Sequence, residues 1–435
     1  MRSGNGFRVT STVRTIYCSA ALVGLISVSA LAQSTPAPND QTLSGYGPSS
    51  SLETGDSVTE DLAVDDQRVD GVLSFPKVEK FFAPWFGWKK RVNDKYGLKL
   101  QFSYQSSHQW VNESLGETNA AAARLQLQGS WTLVGRGSKN TGKLTFRLEN
   151  RTTLGTTLPP TSLAFQYGGI TPSGGFSDFG FALTELAWRQ SLLDGRLRFV
   201  AGKISALSWY NGHALSSSLR GFQNLALQSS LTKPSPGRGI GGGFAYEFSP
   251  RFGVVAGIHD ANAKTAENPF DTIKEDEFYK SVEFRYWPTT PDRRRWDVVR
   301  LQFWDQDELK DKGTPSGQGV TFLASSLLDD KWFPFFIAGH SDGNASLMKT
   351  DVTAGLGILI DTKSRTANDV LGVGVSWGDP SNAALREQIT SEIFYRFTLA
   401  QNVVITPSIQ WVKNPAAATA FDDVLTAGLR LRVTF

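Results

Sequence analysis

Arg147, Glu149 and Arg151 stand at every second position of a segment that also holds Phe146 and Leu148. The same spacing sets Arg198 beside Phe199, Glu247 beside Phe248, and Glu283 and Arg285 around Phe284. It sets Arg300 and Trp304 against Leu301 and Phe303, and Glu392 and Arg396 against Ile393 and Tyr395. Gln410 lies between Ile409 and Trp411, and Arg430 and Arg432 alternate with Leu429, Leu431 and Val433. Guanidinium groups donate hydrogen bonds and carboxylates accept them. A surface carrying both can take over the bonds that water makes to a polar, uncharged solute, and Trp304 offers a flat apolar face to its C–H side. Each charged member also has a plainer role, as half of an ion pair that braces the wall on which it stands.

Covalent catalysis lacks its apparatus. His259 and Asp260 are adjacent, so on a strand their side chains point to opposite faces, and His340-Ser341-Asp342 has the same defect. The four histidines are far apart, and the single cysteine, Cys18, lies near the amino terminus. Thiol chemistry, a disulfide framework and a Cys-ligated zinc site are therefore excluded from the rest of the chain. No enzyme activity, metal or cofactor is expected.

Residues that alternate in this way need strands to position them. From Leu98 to Phe435 the period is two, with Leu, Phe, Val, Ile and Tyr on one face and polar or charged residues on the other. Sixteen candidate strands start near residues 98, 122, 142, 181, 195, 239, 252, 276, 297, 317, 331, 350, 369, 387, 402 and 424. Residues 181–191 change parity around Glu185, and 317–337 reads either as a long hairpin or as a loop. Short connections such as Leu193-Asp194-Gly195 and Ser249-Pro250-Arg251 alternate with Gly/Pro/Ser-rich stretches at 152–180 and 205–238. That alternation of short turns and long loops is the pattern of outer-membrane barrels, and the two long loops are expected to fold inward and narrow the lumen. Trp110, Trp287, Trp377 and Trp411 lie near strand ends, where an interfacial girdle would stand. The expected fold is all-β: a transmembrane antiparallel β-barrel of the bacterial outer membrane, with about 16 strands, a short N-terminal helix and a disordered acidic tail.

Ahead of the strands, Arg2, Arg8 and Arg14, an apolar run from Ile16 to Leu31 and the small-x-small sequence Ala30-Leu31-Ala32 read as a signal peptide cleaved after Ala32. Without those 32 residues the charge balance is neutral, at 41 bases against 41 acids, so no nucleic-acid partner is expected. Residues 33–75 read as a disordered linker, with eight acids and one base between 33 and 70. Residues 76–97 read as a short helix stopped by Gly97, acting either as a plug or lid at a pore mouth or as an amphipathic segment packed on the domain. Residues 98–435 form the barrel.

Several stretches resemble the carbohydrate-selective porins of the OprB type: DVLGVGVSWGDPS (369–381), SEIFYRFTLAQNVVITPSIQWVKNP (391–415) and DDVLTAGLRLRVTF (422–435), with GRLRFVAGK (195–203), GFQNLAL (221–227) and GVVAGIHDANA (253–263) upstream. The resemblance runs from about Trp85 to Phe435 and implies a 16-stranded barrel for passive diffusion of mono- or small oligosaccharides. The polar-face residues named above would then line an aqueous lumen as sugar contacts. Gly202-Lys203 is followed by Ile204-Ser205-Ala206, where the family pattern has an acid. Expected partners are a carbohydrate substrate, outer-membrane lipid and the barrel assembly machinery through the terminal Phe435, in a homotrimer or a monomer. Two other readings stand beside this one: a general or anion-preferring porin, and a secreted β-rich adhesin or structural protein.

Overall fold

The computed structural model describes residues 53, 55–65, 73, 75–362, 365–400 and 402–435. The expected signal peptide and its cleavage site lie outside them. Sixteen antiparallel strands close into one barrel in sequence order, each paired with its chain neighbours and the last with the first. They are β1 (Leu98–Val111), β2 (Asn119–Val134), β3 (Gly142–Thr153), β4 (Gly180–Leu192), β5 (Leu197–Ile204), β6 (Gly239–Glu247), β7 (Phe252–Asp260) and β8 (Phe278–Tyr286), followed by β9 (Val298–Gln306), β10 (Gly317–Ser325), β11 (Trp332–Asp342), β12 (Met348–Thr362), β13 (Arg365–Pro380), β14 (Gln388–Ala400), β15 (Val403–Lys413) and β16 (Asp423–Thr434). Residues 317–337 are the β10–β11 hairpin. Closure leaves no edge strand, so the ladder satisfies every strand's backbone groups, as a membrane requires.

The two faces separate as the alternation demands. Leu125, Leu127, Phe199, Phe244, Phe284, Leu301, Phe303, Val373, Ile393, Ile409, Leu425 and Leu429 are exposed on the outside. Trp411 and Trp377 stand at the long-loop rim, their indole N–H groups donating to Asp423 and Glu387. At the opposite rim the Trp131 indole donates to the Tyr96 carbonyl. Trp287 departs from the expected girdle: it is buried, with the Arg294 guanidinium 4.5 Å from its ring.

The parity change in β4 is a β-bulge. Arg147 of β3 pairs with Glu185 and Leu148 pairs with Leu183, so Thr184 is the unpaired extra residue. Thr184 and Glu185 consequently both face inward.

Among the described residues, two helices precede the barrel. α1 (Val58–Asp65) falls within the stretch expected to be a disordered acidic linker, and that expectation is corrected here. Its Glu60 and Asp61 carboxylates are buried because arginines of the wall and its connections pair with them, which composition alone does not reveal. α2 (Pro76–Tyr96) ends where Gly97 adopts φ 71°, its N–H donating to the Asn93 carbonyl. α2 sits outside the barrel. Phe82 packs on Phe435, Phe435 packs on the outward-facing Phe102, and the Lys89 ammonium donates to the Phe435 carbonyl. The pore-mouth position considered for this helix is therefore not its position. Among the described residues no helix is long and apolar enough to cross a membrane.

Candidate functional site

The lumen is built from the inward positions of the strands, from the loop 205–238 and from the segment around α1. The loop enters the barrel and is fastened to the wall at several points. Asn211 N–H donates to Glu283, and Arg285 donates to the Trp209 carbonyl. Gln223 and Asn224 N–H groups donate to Glu392 at 2.8 Å, and Ser230 and Leu231 donate to Asp351. Arg396 donates to the Arg220 carbonyl, and Arg430 to the Ser218 and Gly221 carbonyls. The loop is also fixed by apolar burial. Leu215, Phe222 and Leu227 pack on Phe333, Phe335, Ile337 and Phe394 of the wall, so β11 is apolar on its inward face where the loop covers it. His213 stacks on Phe335 with ring centroids 4.0 Å apart. Burial pushes its imidazole down to about 3, the nearby Arg300 charge acting in the same sense against the bond to the Leu227 carbonyl. The second long loop folds over the same region: Thr171 meets Thr390, and Ser173 meets Gln109 and bridges to Asn224.

The segment from Glu53 to α1 lies across the lumen. Asp61 pairs with Arg147 at 2.8 Å and with Arg220 at 3.1 Å. Glu60 pairs with Arg295, and Glu53 with Arg189. The Asp56 carboxylate accepts from the Ser217 and Ser218 hydroxyls. Its carbonyl accepts from Arg147 and Arg238, and the Gly55 carbonyl from Arg220. Burial alone would push the Asp56 carboxyl up, but Arg124, the Ser217 hydroxyl, Arg147 and Arg220 together hold it below the usual carboxylate range.

This segment separates two spaces. Towards the short-turn end lies a vestibule of about 1040 Å³, bounded by Thr59, Leu62 and Ala63 of α1 and by Arg198, Glu247 and Arg294. Towards the long loops lies a chamber of about 260 Å³, bounded by Gly55, Asp56, Arg151, Arg238 and hydroxyls including Ser205, Ser208, Ser216, Ser218 and Ser235.

Every lumen residue proposed from the sequence faces inward, yet most are engaged. Glu149 binds Arg124 and Arg151, and Arg147 holds α1. Glu283 binds Arg285 at 2.6 Å and Arg300 at 3.4 Å. Gln410 accepts from Asn224. Trp304 is buried against Tyr279 in a cluster that includes Trp209 and Tyr210, so its ring offers no open face to a solute. Arg198 and Glu247, paired at 3.0 Å, border the vestibule, and Arg151 borders the chamber.

Sequence reasoning missed Arg124, Arg189, Arg220, Arg238, Asp56, Asp61, Ser217 and Ser218. Arg124 was reachable, because it continues the inward set of Gln126 and Gln128. Arg189 was hidden by the Thr184 bulge, and the others lie on segments without a strand period. Among the described residues no group of three or more His, Cys, Asp or Glu side chains is placed to hold a metal ion.

The end of β10 and all of β11 to β16 match the family model described as carbohydrate-selective porin, OprB family, over residues 324–435. The C-terminal part of the chain is thus similar to this family. Two solved structures of Pseudomonas putida OprB are similar to this chain in fold. The high-pH form superposes with a TM-score of 0.63 at 16% identity, and the low-pH form with 0.51 at 14%. Each comparison covers 81% of this chain and 97% of the other. At these identities the likeness speaks to the fold. Comparison with curated proteins gives no match.

Proposed function

We propose that this OprB-type chain is an outer-membrane channel for passive diffusion of mono- or small oligosaccharides. The observation that carries the reading is the chamber above Asp56. Its wall combines serine hydroxyls with the Arg151 and Arg238 guanidiniums, a donor-rich surface suited to a polyol. The lumen mixes signs, with Glu149, Glu185, Glu247, Glu283 and Glu392 among its arginines. Flux requires weak holding, on the order of −4 kcal/mol or millimolar affinity.

On this reading the lumen residues divide into two roles. Arg300, Glu283, Glu392, Arg396 and Arg430 fix the loop 205–238, and so set the shape of the passage without lying in it. Arg151 and Arg238 are positioned to meet solute.

The test is sugar-dependent block of ion current in planar bilayers, with liposome swelling as a second measure of flux. Glucose or a maltose-type sugar is expected to reduce the current in a saturable way. Current that ignores every sugar while a small inorganic anion saturates it would favour a general anion porin instead.

A further inference from the structure

Several lumen arginines are occupied by carboxylates and carbonyls of the segment from Glu53 to α1. Asp61 lies between Arg147 and Arg220, and Glu53 lies on Arg189. Glu60 lies on Arg295, and the Asp56 carbonyl lies on Arg147 and Arg238. The Asp56 carboxylate itself is gripped by two adjacent hydroxyls, Ser217 and Ser218. Without this segment, five guanidiniums would share a small set of wall carboxylates. Of these, Glu149 is already divided between Arg124 and Arg151, while Glu185 serves Arg189 and Arg238. The wall is thus made for negative charge, and the chain supplies that charge.

The 260 Å³ chamber abuts this same carboxylate. Ser218 lines the chamber and also donates to Asp56, and Arg238 lines it while donating to the Asp56 carbonyl. A solute arriving from the long-loop side therefore meets hydroxyls first and the Asp56 seat next.

We infer that Ser217, Ser218, Arg147, Arg220 and Arg238 form a binding station for carbohydrates that carry a carboxylate, and that Asp56 and Asp61 are the chain's own stand-in for that ligand. This inference rests on the carbohydrate-channel reading and narrows its substrate class. The sugar's hydroxyls lie along the chamber serines, and its carboxylate takes over the donors that Asp56 releases. One carboxylate replaces another on the same donors, so the exchange is near balance. Near balance gives the weak, rapidly reversible occupancy that flux needs. The same exchange makes α1 a closure that yields to the correct solute, because a neutral sugar brings no charge to replace Asp56 or Asp61.

Planar-bilayer recording on the full chain tests this, with glucuronate, glucose and acetate added on the long-loop side. Glucuronate is expected to reach half-block at a concentration at least about tenfold below that of glucose, equivalent to about 1.4 kcal/mol, with acetate weaker than glucuronate. The variant Asp56→Asn with Asp61→Asn loosens the internal stand-in. It is expected to shift the reversal potential in a salt gradient towards anion selectivity, and to lower the glucuronate concentration for half-block further. Equal block by glucose and glucuronate would overturn the inference and leave the carbohydrate channel standing. Block by acetate as strong as by glucuronate would reduce the station to a simple anion site. A reversal potential unchanged in the double variant would overturn the assignment of Asp56 and Asp61. Failure of every sugar to block would remove the channel reading as well.

Discussion

Asp61 and Arg147 meet at 2.8 Å inside the lumen although 86 residues separate them in the chain. Both side chains are fully buried. Burying such a pair is costly unless the remaining donors and acceptors are also satisfied. Here Arg147 also donates to Gln128 and to the Asp56 carbonyl, and the Asp61 carboxylate has a second cation, Arg220, at 3.1 Å. This arrangement ties an N-terminal segment across a passage that the sixteen strands would otherwise leave open.

Deleting Glu53–Asp65 should therefore leave the barrel assembled while opening the pore. The strands close on one another without this segment. The deletion variant is expected to keep heat-modifiable mobility on gels and to show single-channel conductance raised by at least roughly twofold. Arg147→Ala is a milder form. It removes one of the two guanidiniums paired with Asp61, costs the seated state on the order of 3 kcal/mol, and should add long open events to the current record. A deletion variant with unchanged conductance would mean that the segment does not obstruct the path.

The loop 205–238 should come loose in a way that separates it from the barrel. Glu392 accepts from two backbone N–H groups, those of Gln223 and Asn224. Glu392→Ala strands both donors in a buried place, at about 1–3 kcal/mol each. Hydrogen–deuterium exchange should rise across the loop while the strand amides stay protected. Uniform loss of protection would show instead that Glu392 supports the barrel as a whole.

The strands were legible because a lipid-facing barrel imposes a strict two-residue period, and fifteen of their starts fall within three residues of expectation, β13 being the exception at four. The inward orientation of Arg147, Glu283, Arg300 and Arg430 followed from the same period. Their roles did not follow, because those depend on what the loop and α1 bring to them. Phe333 and Phe335 show the limit clearly. On a bare barrel they would be misplaced on the aqueous side, and they make sense only under Phe222 and Leu227. α1 was invisible for a related reason. Its acids suggest disorder when counted alone, and become stabilising only opposite guanidiniums contributed from distant positions.

Acidification should weaken the loop through His213. The neutral ring is held on both sides, with Nε2–H donating to the Leu227 carbonyl at 2.9 Å and Nδ1 accepting from Leu215 N–H at 3.2 Å. Burial pushes this imidazole down to about 3, whereas a released loop has an ordinary histidine near ~6.5. The released form thus takes up a proton first as pH falls. The seated form is at full strength above about 6.5 and loses roughly 1.4 kcal/mol per unit below it, down to about 3. Loop exchange measured at pH 7 and pH 4.5 should differ in wild type. The difference should shrink in His213→Gln, whose amide can donate and accept at the same two places without titrating. A loop equally protected at both pH values would contradict this account.

Leu429 and Arg430 test the two faces at adjacent positions of β16. Leu429 is 46% exposed on the outer face, near the middle of the strand, and pairs with His108 of β1 and Pro407 of β15. Leu429→Arg places a charge against hydrocarbon and should cost roughly 2–4 kcal/mol near the midplane. The expected result is a lower yield of heat-modifiable barrel and a lower urea midpoint. Arg430 points the other way and holds the Ser218 and Gly221 carbonyls. Arg430→Leu removes those bonds without exposing charge to lipid, so the barrel should assemble nearly normally while the loop loosens. Because both changes exchange the same two residue types, composition cannot explain a difference between them. Equal damage to assembly from the two variants would refute the assignment of lipid and lumen faces in this strand.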